Sequence, residues 1–202
     1  MRRIVLIDGE NLTYGLRTLL STEDEKLPRN SLNTYDFRGL TEEVLADQLP
    51  GEILWFGARL RQYAETPELL EKTNNAIRRQ SYFVNHVQSQ KITFIKAGYL
   101  RLRETDPCSQ CQNKEWKFIE KGVDVGLAVR MLAEAHEDTE IIIVSADTDL
   151  VPAVRASKKL GAKIMFVGYE YRPISALSSI ADSTRVITIP IARRFLQEGL
   201  DE

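Results

Sequence analysis

The chain has 202 residues, a length that fits one globular domain with a substantial buried core. Lysine and arginine total 27 against 29 aspartates and glutamates, and 43% of the residues are apolar, which excludes a disordered chain and gives no global charge signal for nucleic acid. No apolar run reaches the ~18 residues of a membrane span, the run at 4–7 is too short for a secretion signal, and two cysteines cannot form a disulfide framework. We therefore expect a cytoplasmic protein with no membrane partner.

Strand-like and helix-like segments alternate along the chain. Short apolar segments that are typical of buried parallel strands lie at 3–8, 53–57, 92–97, 141–146, 163–168 and 186–190. Amphipathic segments predict helices at 11–20, 39–48, 67–89, 124–137, 149–160, 174–181 and 191–198. Asn11 and Thr41 are N-cap candidates for the first two helices. The alternation predicts an α/β fold with a mainly parallel sheet, in a single domain over 1–202.

Two stretches fit this alternation poorly. Residues 21–36 are polar and predict a loop. Residues 99–120 contain both cysteines, Cys108 and Cys111, and predict a loop or hairpin insertion before the next helix. For this CxxC pair, reduced thiols are the first interpretation, a zinc ion shared between two chains the second, and a redox pair the third.

Aspartates stand where a parallel sheet places its binding site. Asp8 ends the first strand, Asp147 and Asp149 follow the fourth, and Asp124 opens a helix. Ligands of open α/β sheets bind beyond the carboxyl ends of the strands, where the strand order reverses. If the first and fourth strands are neighbours, Asp8 and Asp147 share one crevice, with the helix at Asp124 above it.

Such a group of carboxylates favours a hard divalent cation. Close carboxylates repel each other unless a cation lies between them, and Mg²⁺ prefers oxygen ligands. Histidine and cysteine are absent from these motifs, which argues against a zinc hydrolase. Helix capping is the alternative for Asp8, Asp124 and Asp149 individually. Capping does not require two aspartates that follow similar apolar runs, whereas metal-assisted phosphate chemistry does.

Three motifs together resemble a known family. IDGEN at 7–11, KGVDVGLAVRML at 121–132 and IVSADTDLVPAV at 143–154 look like those of a NYN domain of the LabA-like group, which is related to PIN nucleases. KIMFVGYE at 163–170 follows at the family's usual distance. The resemblance covers most of residues 3–190. It implies a three-layer PIN-like (Rossmann-like) fold, with a sheet of about five strands between helices.

The resemblance also implies an activity and a site. Active members cleave RNA with Mg²⁺ or Mn²⁺. By position, Asp8, Asp124 and Asp147 would be catalytic and hold the metal, and Asp149 would be an additional catalytic acid. The substrate-binding residues implied in the same way are Asn11, Lys121 and Ser145. Water activated at the metal would attack in line and leave a 5′-phosphate and a 3′-hydroxyl.

One position departs from the family pattern. The second motif often has a further Asp where this chain has Arg130. If Arg130 faces the site, it either weakens metal binding or clamps a phosphate. The other interpretation is a solvated arginine on the outer side of the helix.

Positive charge is concentrated in the middle of the chain. Residues 59–103 hold nine basic and three acidic side chains, a local balance of +6. The basic residues are Arg59, Arg61, Lys72, Arg78, Arg79, Lys91, Lys96, Arg101 and Arg103, and the aromatic residues Tyr63, Tyr82, Phe83 and Tyr99 are interleaved with them. Cations for the backbone and aromatic rings for the bases are what a single-stranded nucleic acid site requires. Packing of these aromatic rings in the core is the alternative.

The resulting hypothesis is a metal-dependent ribonuclease whose partner is RNA, single-stranded RNA in particular. The alternative is a module with weak or no catalysis that binds RNA or a partner protein in a regulatory role. A phosphohydrolase acting on nucleotides is a third, weaker hypothesis. Because PIN-like domains often dimerise, a homodimer is also among the expectations.

Overall fold

The computed structural model describes residues 1–22, 26–46, 50–106, 111, 114, 116–172 and 176–196. The strands of this part are β1 (Arg2–Asp8), β2 (Glu52–Arg59), β3 (Thr93–Glu104), β4 (Trp116–Lys121), β5 (Thr139–Val144), β6 (Lys163–Tyr169) and β7 (Ser183–Ile187). The helices are α1 (Gly9–Leu20), α2 (Phe37–Leu45), α3 (Pro67–Ser89), α4 (Val123–Glu134), α5 (Val151–Lys159) and α6 (Ile189–Arg194). None of the helices described combines the length and the apolarity that crossing a bilayer requires.

The strands form one sheet in the order β4-β3-β2-β1-β5-β6-β7. Only β3 and β4 are antiparallel, and every other neighbouring pair is parallel. The chain builds outward from β1 in one direction through β2 and in the other through β5, so the strand order reverses between β1 and β5. The expected α/β fold with a mainly parallel sheet is confirmed, and β1 does neighbour β5.

Helices cover both faces of this sheet. Apolar residues alternate along β1, so that Val5 and Ile7 face α1, α2 and α6, whereas Ile4 and Leu6 face α4 and α5. All four are fully buried. Each face has its own apolar core, and together they give the three-layer arrangement.

The chain passes from β1 to α1 without a loop. Asp8 ends the strand and Gly9 begins the helix. A Cβ atom on Gly9 would lie 2.8 Å from the Phe56 carbonyl oxygen, closer than a real Cβ atom approaches. Glycine at this position therefore lets α1 start directly above the carboxyl end of β1.

Two of the expected helix caps are wrong. Asp8, not Asn11, caps α1 and accepts a hydrogen bond from the Asn11 N–H at 3.1 Å. Asp36, not Thr41, caps α2, accepting from the Gly39 N–H at 2.7 Å. In both cases a carboxylate just before the first turn reaches the free N–H groups of that turn, which a residue inside the helix cannot do.

Two irregular segments also differ from expectation. The stretch 21–36 contains a 3-10 helix at Arg29–Thr34, because Leu32 and Tyr35 are buried and hold this segment on the core. Of the helix expected at 174–181, residues 174 and 175 lie outside the described part, and 176–181 form turns and a bend. The turns end where Asp182 exchanges hydrogen bonds with the Ile164 backbone of β6, which directs the chain into β7.

A hairpin at the edge of the sheet follows from β3 and β4. Tyr99 pairs with Lys121 and Glu104 pairs with Trp116. β4 then joins α4 through Gly122 alone, whose φ of +85° is the left-handed conformation that glycine adopts without strain. The hairpin and α4 are therefore connected by one residue, with no loop between them.

We predict that Leu127→Ala destabilises the protein by about 2–5 kcal/mol, because Leu127 of α4 is 0% exposed and its loss leaves a cavity. Leu132→Ala, in the same helix but 38% exposed, is the matched control and should change stability by less than about 1 kcal/mol. Urea denaturation followed by circular dichroism measures both. Equal effects of the two substitutions would contradict this packing of α4.

Candidate functional site

Asp8 lies at the carboxyl end of the central strand and is largely buried. Its Oδ1 accepts a hydrogen bond from the Asn11 N–H at 3.1 Å. Its Oδ2 accepts from the hydroxyl of Ser145, the residue after β5, at 3.0 Å. Both carboxylate oxygens are thus oriented, one by α1 and one by the segment that follows β5.

Ser145 also connects Asp8 to Asp147. The Ser145 hydroxyl accepts a hydrogen bond from the Asp147 N–H at 3.1 Å while it donates to Asp8. Ser145 is fully buried, so the hydroxyl has no competing water. The structure brings these two aspartates to one point at the switch between β1 and β5.

Asn11 also connects the start of α1 to the segment that follows β5. Its side-chain oxygen accepts a hydrogen bond from the Ala146 N–H at 2.9 Å. Its backbone carbonyl accepts from the hydroxyl of buried Tyr169 on β6, at 3.1 Å. The contact with Ala146 fixes the orientation of the Asn11 side chain, whose amide NH₂ group remains a donor for a ligand.

Asp149 lies beside Asp147 but is exposed. The N–H of Asp149 donates to Asp147 Oδ1 at 2.9 Å, in a 3-10 helix over Thr148–Leu150 that Asp147 caps. Asp147 therefore caps this 3-10 helix, a role that the sequence suggested for Asp149. Asp149 adds a second carboxylate at the solvent edge of the same segment.

Asp124 and Lys121 approach from the hairpin side. Both are exposed, on either side of Gly122. Asp124 occupies the first turn of α4, where the helix dipole favours a carboxylate. Asp124 contributes to the negative potential at Glu120 of β4, so the structure brings it to the same acidic region as Asp8.

The electrostatics of the region are strongly negative. Burial raises the pKa of Asp8, and the charges of Asp147 and Glu10 raise it further, whereas the hydrogen bonds from Asn11 and Ser145 lower it. Burial also raises the pKa of Glu120, to about 7, and Asp8, Glu10 and Asp124 add to that rise. Carboxylates that repel each other in this way favour either a bound proton or a bound cation.

Glu10 and Glu120 were not among the residues predicted from the sequence. Both were visible there, since Glu10 lies inside IDGEN and Glu120 immediately precedes KGVDV. Because residues 99–120 were predicted only as a loop or hairpin insertion, without individual paired strands, Glu120 could not be placed beside the aspartates. Alternation in 116–121 puts Phe118 and Glu120 on one side and Lys117 and Lys121 on the other, which is a strand signal.

Two adjoining clefts open next to the acids. The first, of about 400 Å³, is lined by Glu10, Glu120, Trp55, Phe83 and Phe118 among others. The second, of about 680 Å³, shares Glu10, Phe83 and Phe118 with it and is also lined by Arg17 and Arg79. Phe83 also makes an edge contact with Trp55, with ring centroids 5.5 Å apart, so it belongs to the core and to the cleft wall alike.

The donor chemistry fits a magnesium-type cation. In the part of the chain that the structure describes, no three Asp, Glu, His or Cys side chains converge closely enough to enclose a metal ion. Mg²⁺ does not need such a cage, since it keeps several waters and uses one or two protein carboxylates. Asp8 and Asp147, which Ser145 connects, are the two carboxylates that could hold such an ion.

Arg130 is remote from these acids. Its guanidinium contacts Glu134 at 2.6 Å and Glu52 at 3.9 Å. Glu52 opens β2, and Arg2, which opens β1, contacts the same two glutamates. These residues mark the amino end of the parallel strands, whereas Asp8 marks the carboxyl end. Arg130 therefore takes no part in the acidic region.

Other residues singled out in the sequence are dispersed. Lys72 donates to the Trp116 carbonyl oxygen at 2.7 Å, and Arg79 lies at the second cleft. Arg61 and Arg101 both lie against Tyr99. Cys111 is exposed and forms no disulfide, and Cys108 lies outside the described residues.

Comparison with known proteins identifies the family. The model of the NYN domain matches residues 2–190, nearly the whole chain. The chain belongs to the NYN domain family. NYN domains form part of the PIN-like superfamily of nucleases, and the match does not distinguish the LabA-like group from others.

A solved structure supports the fold. The NYN chain is similar to a protein of unknown function from Vibrio parahaemolyticus, with a TM-score of 0.53 and 16% identity over 92% of each chain. At this identity the likeness concerns the fold alone. The comparison with curated proteins gives no match.

We predict that Ser145→Ala destabilises the protein by about 1–3 kcal/mol near neutral pH, because it leaves the Asp8 carboxylate and the Asp147 N–H without their shared partner. The Ser145 hydroxyl favours the ionised form of Asp8, so the loss should shrink in acid, once Asp8 is protonated. Denaturant unfolding at several pH values measures this. Exposed Ser81→Ala is the control, and a loss of equal size at every pH would contradict the coupling.

We predict that Glu120→Gln stabilises the protein at pH 8 by about 1–2 kcal/mol, a value reduced for solvent screening, and leaves its stability unchanged at pH 4. Below its ordinary pKa the carboxyl is protonated whether the chain is folded or unfolded. Above that, the unfolded chain ionises first, so the folded state loses stability as the pH rises to about 7.

The measurement is thermal unfolding in EDTA as a function of pH. Glu65→Gln, which removes one exposed charge elsewhere, should show no such dependence. A Glu120→Gln protein that is less stable than the wild type at pH 8 would contradict the prediction.

Proposed function

We propose that this NYN protein is a metal-dependent ribonuclease that acts on single-stranded RNA at the acidic region between β1, β5 and α4. The observation that supports this is that the Ser145 hydroxyl connects Asp8 to Asp147 at the switch point of the sheet, while Glu10, Glu120 and Asp124 add negative charge to the same region. Such repulsion lowers stability unless it serves a bound cation, and the site lies where open α/β sheets bind ligands.

In this proposal the residues have different tasks. Asp8 and Asp147 hold a Mg²⁺ or Mn²⁺ ion, and Asp124 completes the acidic site from the α4 side. When bound, the cation supplies a Lewis acid that polarises the phosphate and lowers the pKa of water. Ser145 and Asn11 orient the Asp8 carboxylate, and their contacts with the Asp147 and Ala146 N–H groups hold the backbone segment that carries Asp147.

The exposed residues then position the substrate. Lys121, on the opposite side of Gly122 from Asp124, is placed to contact a phosphate beside the acids. Asp149, at the solvent edge, assists as an additional acid. Since the acids alone would repel RNA, a nearby cation and a bound metal ion are both needed for a phosphodiester to approach.

A second candidate is an RNA-binding or protein-binding module without turnover. The specific observation in its favour is that no three metal-ligating side chains converge in the described part of the chain. Arg130, the family departure that first suggested this alternative, gives it no support, because it is paired at the other end of the sheet.

The deciding experiment is cleavage of a labelled single-stranded RNA with Mn²⁺, with Mg²⁺ and with EDTA. We expect metal-dependent cleavage, and a loss of roughly 100-fold or more in Asp8→Asn and in Asp147→Asn, because each removes a charged ligand. Asp138→Asn is the matched control. Asp138 directly precedes β5 at the amino end of the sheet, where its backbone carbonyl accepts a hydrogen bond from the Arg2 N–H. Because this position is remote from the acids, the Asp138→Asn variant should cleave RNA at the wild-type level.

The outcomes separate the candidates. Cleavage that persists in both site variants contradicts the proposed site. A wild-type protein that binds RNA but leaves it intact with either metal supports the second candidate.

A further inference from the structure

The two faces of the β3–β4 hairpin differ completely in charge. Paired residues of neighbouring strands lie on the same face, so the register divides the hairpin into two sets. We call the first set the inner face, since three of its members line the first cleft; it comprises Leu100, Leu102, Glu104, Trp116, Phe118 and Glu120. The second set is the outer face, which comprises Tyr99, Arg101, Arg103, Lys117, Ile119 and Lys121.

All the acidic residues of these paired segments are on the inner face, and all the basic ones are on the outer face. The cations of the outer face are exposed, as is Tyr99. Arg59 of β2 pairs with Tyr99 on the other side and extends the same row. The +6 balance of residues 59–103 is therefore concentrated, in part, on one surface.

Tyr99 is the centre of this surface. The guanidinium carbon of Arg61 lies 5.5 Å from the centre of the Tyr99 ring, and that of Arg101 lies 5.7 Å from it. Both distances are in the range of cation–π contacts. The two contacts hold the planar groups of three side chains together in a stacking cluster at the surface.

Five cations of this surface form no ion pair with a described carboxylate. In the described part of the chain, no carboxylate oxygen lies within 4.0 Å of the cationic nitrogens of Arg59, Arg61, Arg101, Arg103 or Lys121. By contrast, Arg3, Arg38 and Arg130 each form an ion pair. Several unneutralised cations on one short strand pair raise the electrostatic energy of the free protein, and a polyanion would lower it.

We propose that the outer face of the hairpin binds single-stranded RNA, with phosphates on its cations and a base stacked on the cluster of Arg61, Tyr99 and Arg101. Aromatic rings and guanidinium planes are the surfaces on which unpaired bases stack. A duplex cannot use them, because its bases are already stacked. The choice of RNA over other polyanions rests on the proposed function.

The placement of this surface also gives the substrate a direction. The outer face extends about 13 Å along β4, from Lys117 to Lys121, at ~3.3 Å per residue. Lys121 is separated from Asp124 only by Gly122 and Val123. A single RNA strand that lies along the outer face therefore leads to the acidic region, where we propose that cleavage takes place.

The test measures binding apart from cleavage. Fluorescence anisotropy with a labelled oligouridine in EDTA gives the affinity with the metal removed. The triple variant Arg59→Gln, Arg101→Gln, Arg103→Gln, which leaves Lys121 of the proposed site intact, should bind at least about tenfold more weakly at low salt, and its slope of log K against log salt should fall by about 2. The matched control is Arg155→Gln, Lys159→Gln, Lys163→Gln, which removes the same charge from exposed positions on α5 and β6 and should remain within about twofold of the wild type.

Stacking is tested at Tyr99 alone. Tyr99→Leu should weaken binding at least about fivefold, whereas Tyr99→Phe, which keeps the ring, should remain within about twofold of the wild type. Thermal unfolding of each variant verifies that it is folded. Double-stranded RNA of the same length should bind the wild type and Tyr99→Leu with equal affinity, because its bases are not free to stack on the ring.

The results also separate this inference from the proposed function. If the first triple variant, which keeps Lys121, loses binding, the result supports the inference even if the wild type never cleaves RNA, in which case only the nuclease assignment fails. If the triple variant binds and cleaves like the wild type while Asp8→Asn abolishes cleavage, the inference is overturned and the nuclease stands. Absence of RNA binding by the wild type, or equal weakening in both triple variants, also overturns the inference.

Discussion

The hydroxyl of Ser145 connects the two halves of the sheet at the point where their directions diverge. It donates to Asp8 at the end of β1 and accepts from the Asp147 N–H after β5. Because Ser145 is fully buried, neither contact can be replaced by water without opening the core. The orientation of Asp8, the start of α1 and the segment that carries Asp149 all depend on this contact. The site is therefore part of the packing between strands, and its chemistry and its stability cannot be separated.

The carboxylates at the two ends of the sheet have opposite electrostatic environments. At the amino end, Arg2 and Arg130 neutralise Glu52 and Glu134 within one network of ion pairs. At the carboxyl end, Asp8 and Glu120 have raised pKa values and no cationic side chain is among their causes. A protein that can neutralise carboxylates at one end leaves them unneutralised at the other only at a cost in stability. Carboxylates whose pKa values are raised by burial and by neighbouring charges are typical of functional sites.

Much of this arrangement could be predicted from the sequence, for identifiable physical reasons. Buried parallel strands such as 3–8 and 141–146 have continuous apolar runs, and an aspartate that ends such a run must emerge at the edge of the sheet. The pairing of β1 with β5 was only a condition in that argument, and it is the structure that shows it. Caps were harder to predict, because Asp8 and Asn11 are both good cap residues and only the observed hydrogen bond decides between them.

The contribution of the hairpin could not be predicted in the same way. Its strands lie at an edge, so their alternation is between exposed and half-buried residues and gives a weak apolar signal. The proximity of Glu120 to Asp8 depends on how the hairpin folds over the sheet, which no local pattern encodes. Arg130 illustrates the converse, since its position in the motif suggested the site and its contacts place it at the other end of the molecule.

The junction between β4 and α4 has a mechanical consequence. A single left-handed glycine, Gly122, separates the strand from the helix, and α4 is anchored by the buried side chains of Val123, Leu127 and Met131. Lys121 and Asp124 flank this glycine, so the anchoring of α4 also fixes the point at which β4 ends. The hairpin therefore cannot leave the sheet without displacing α4, and the packing of α4 sets the distance of Asp124 from Asp8 and Asp147.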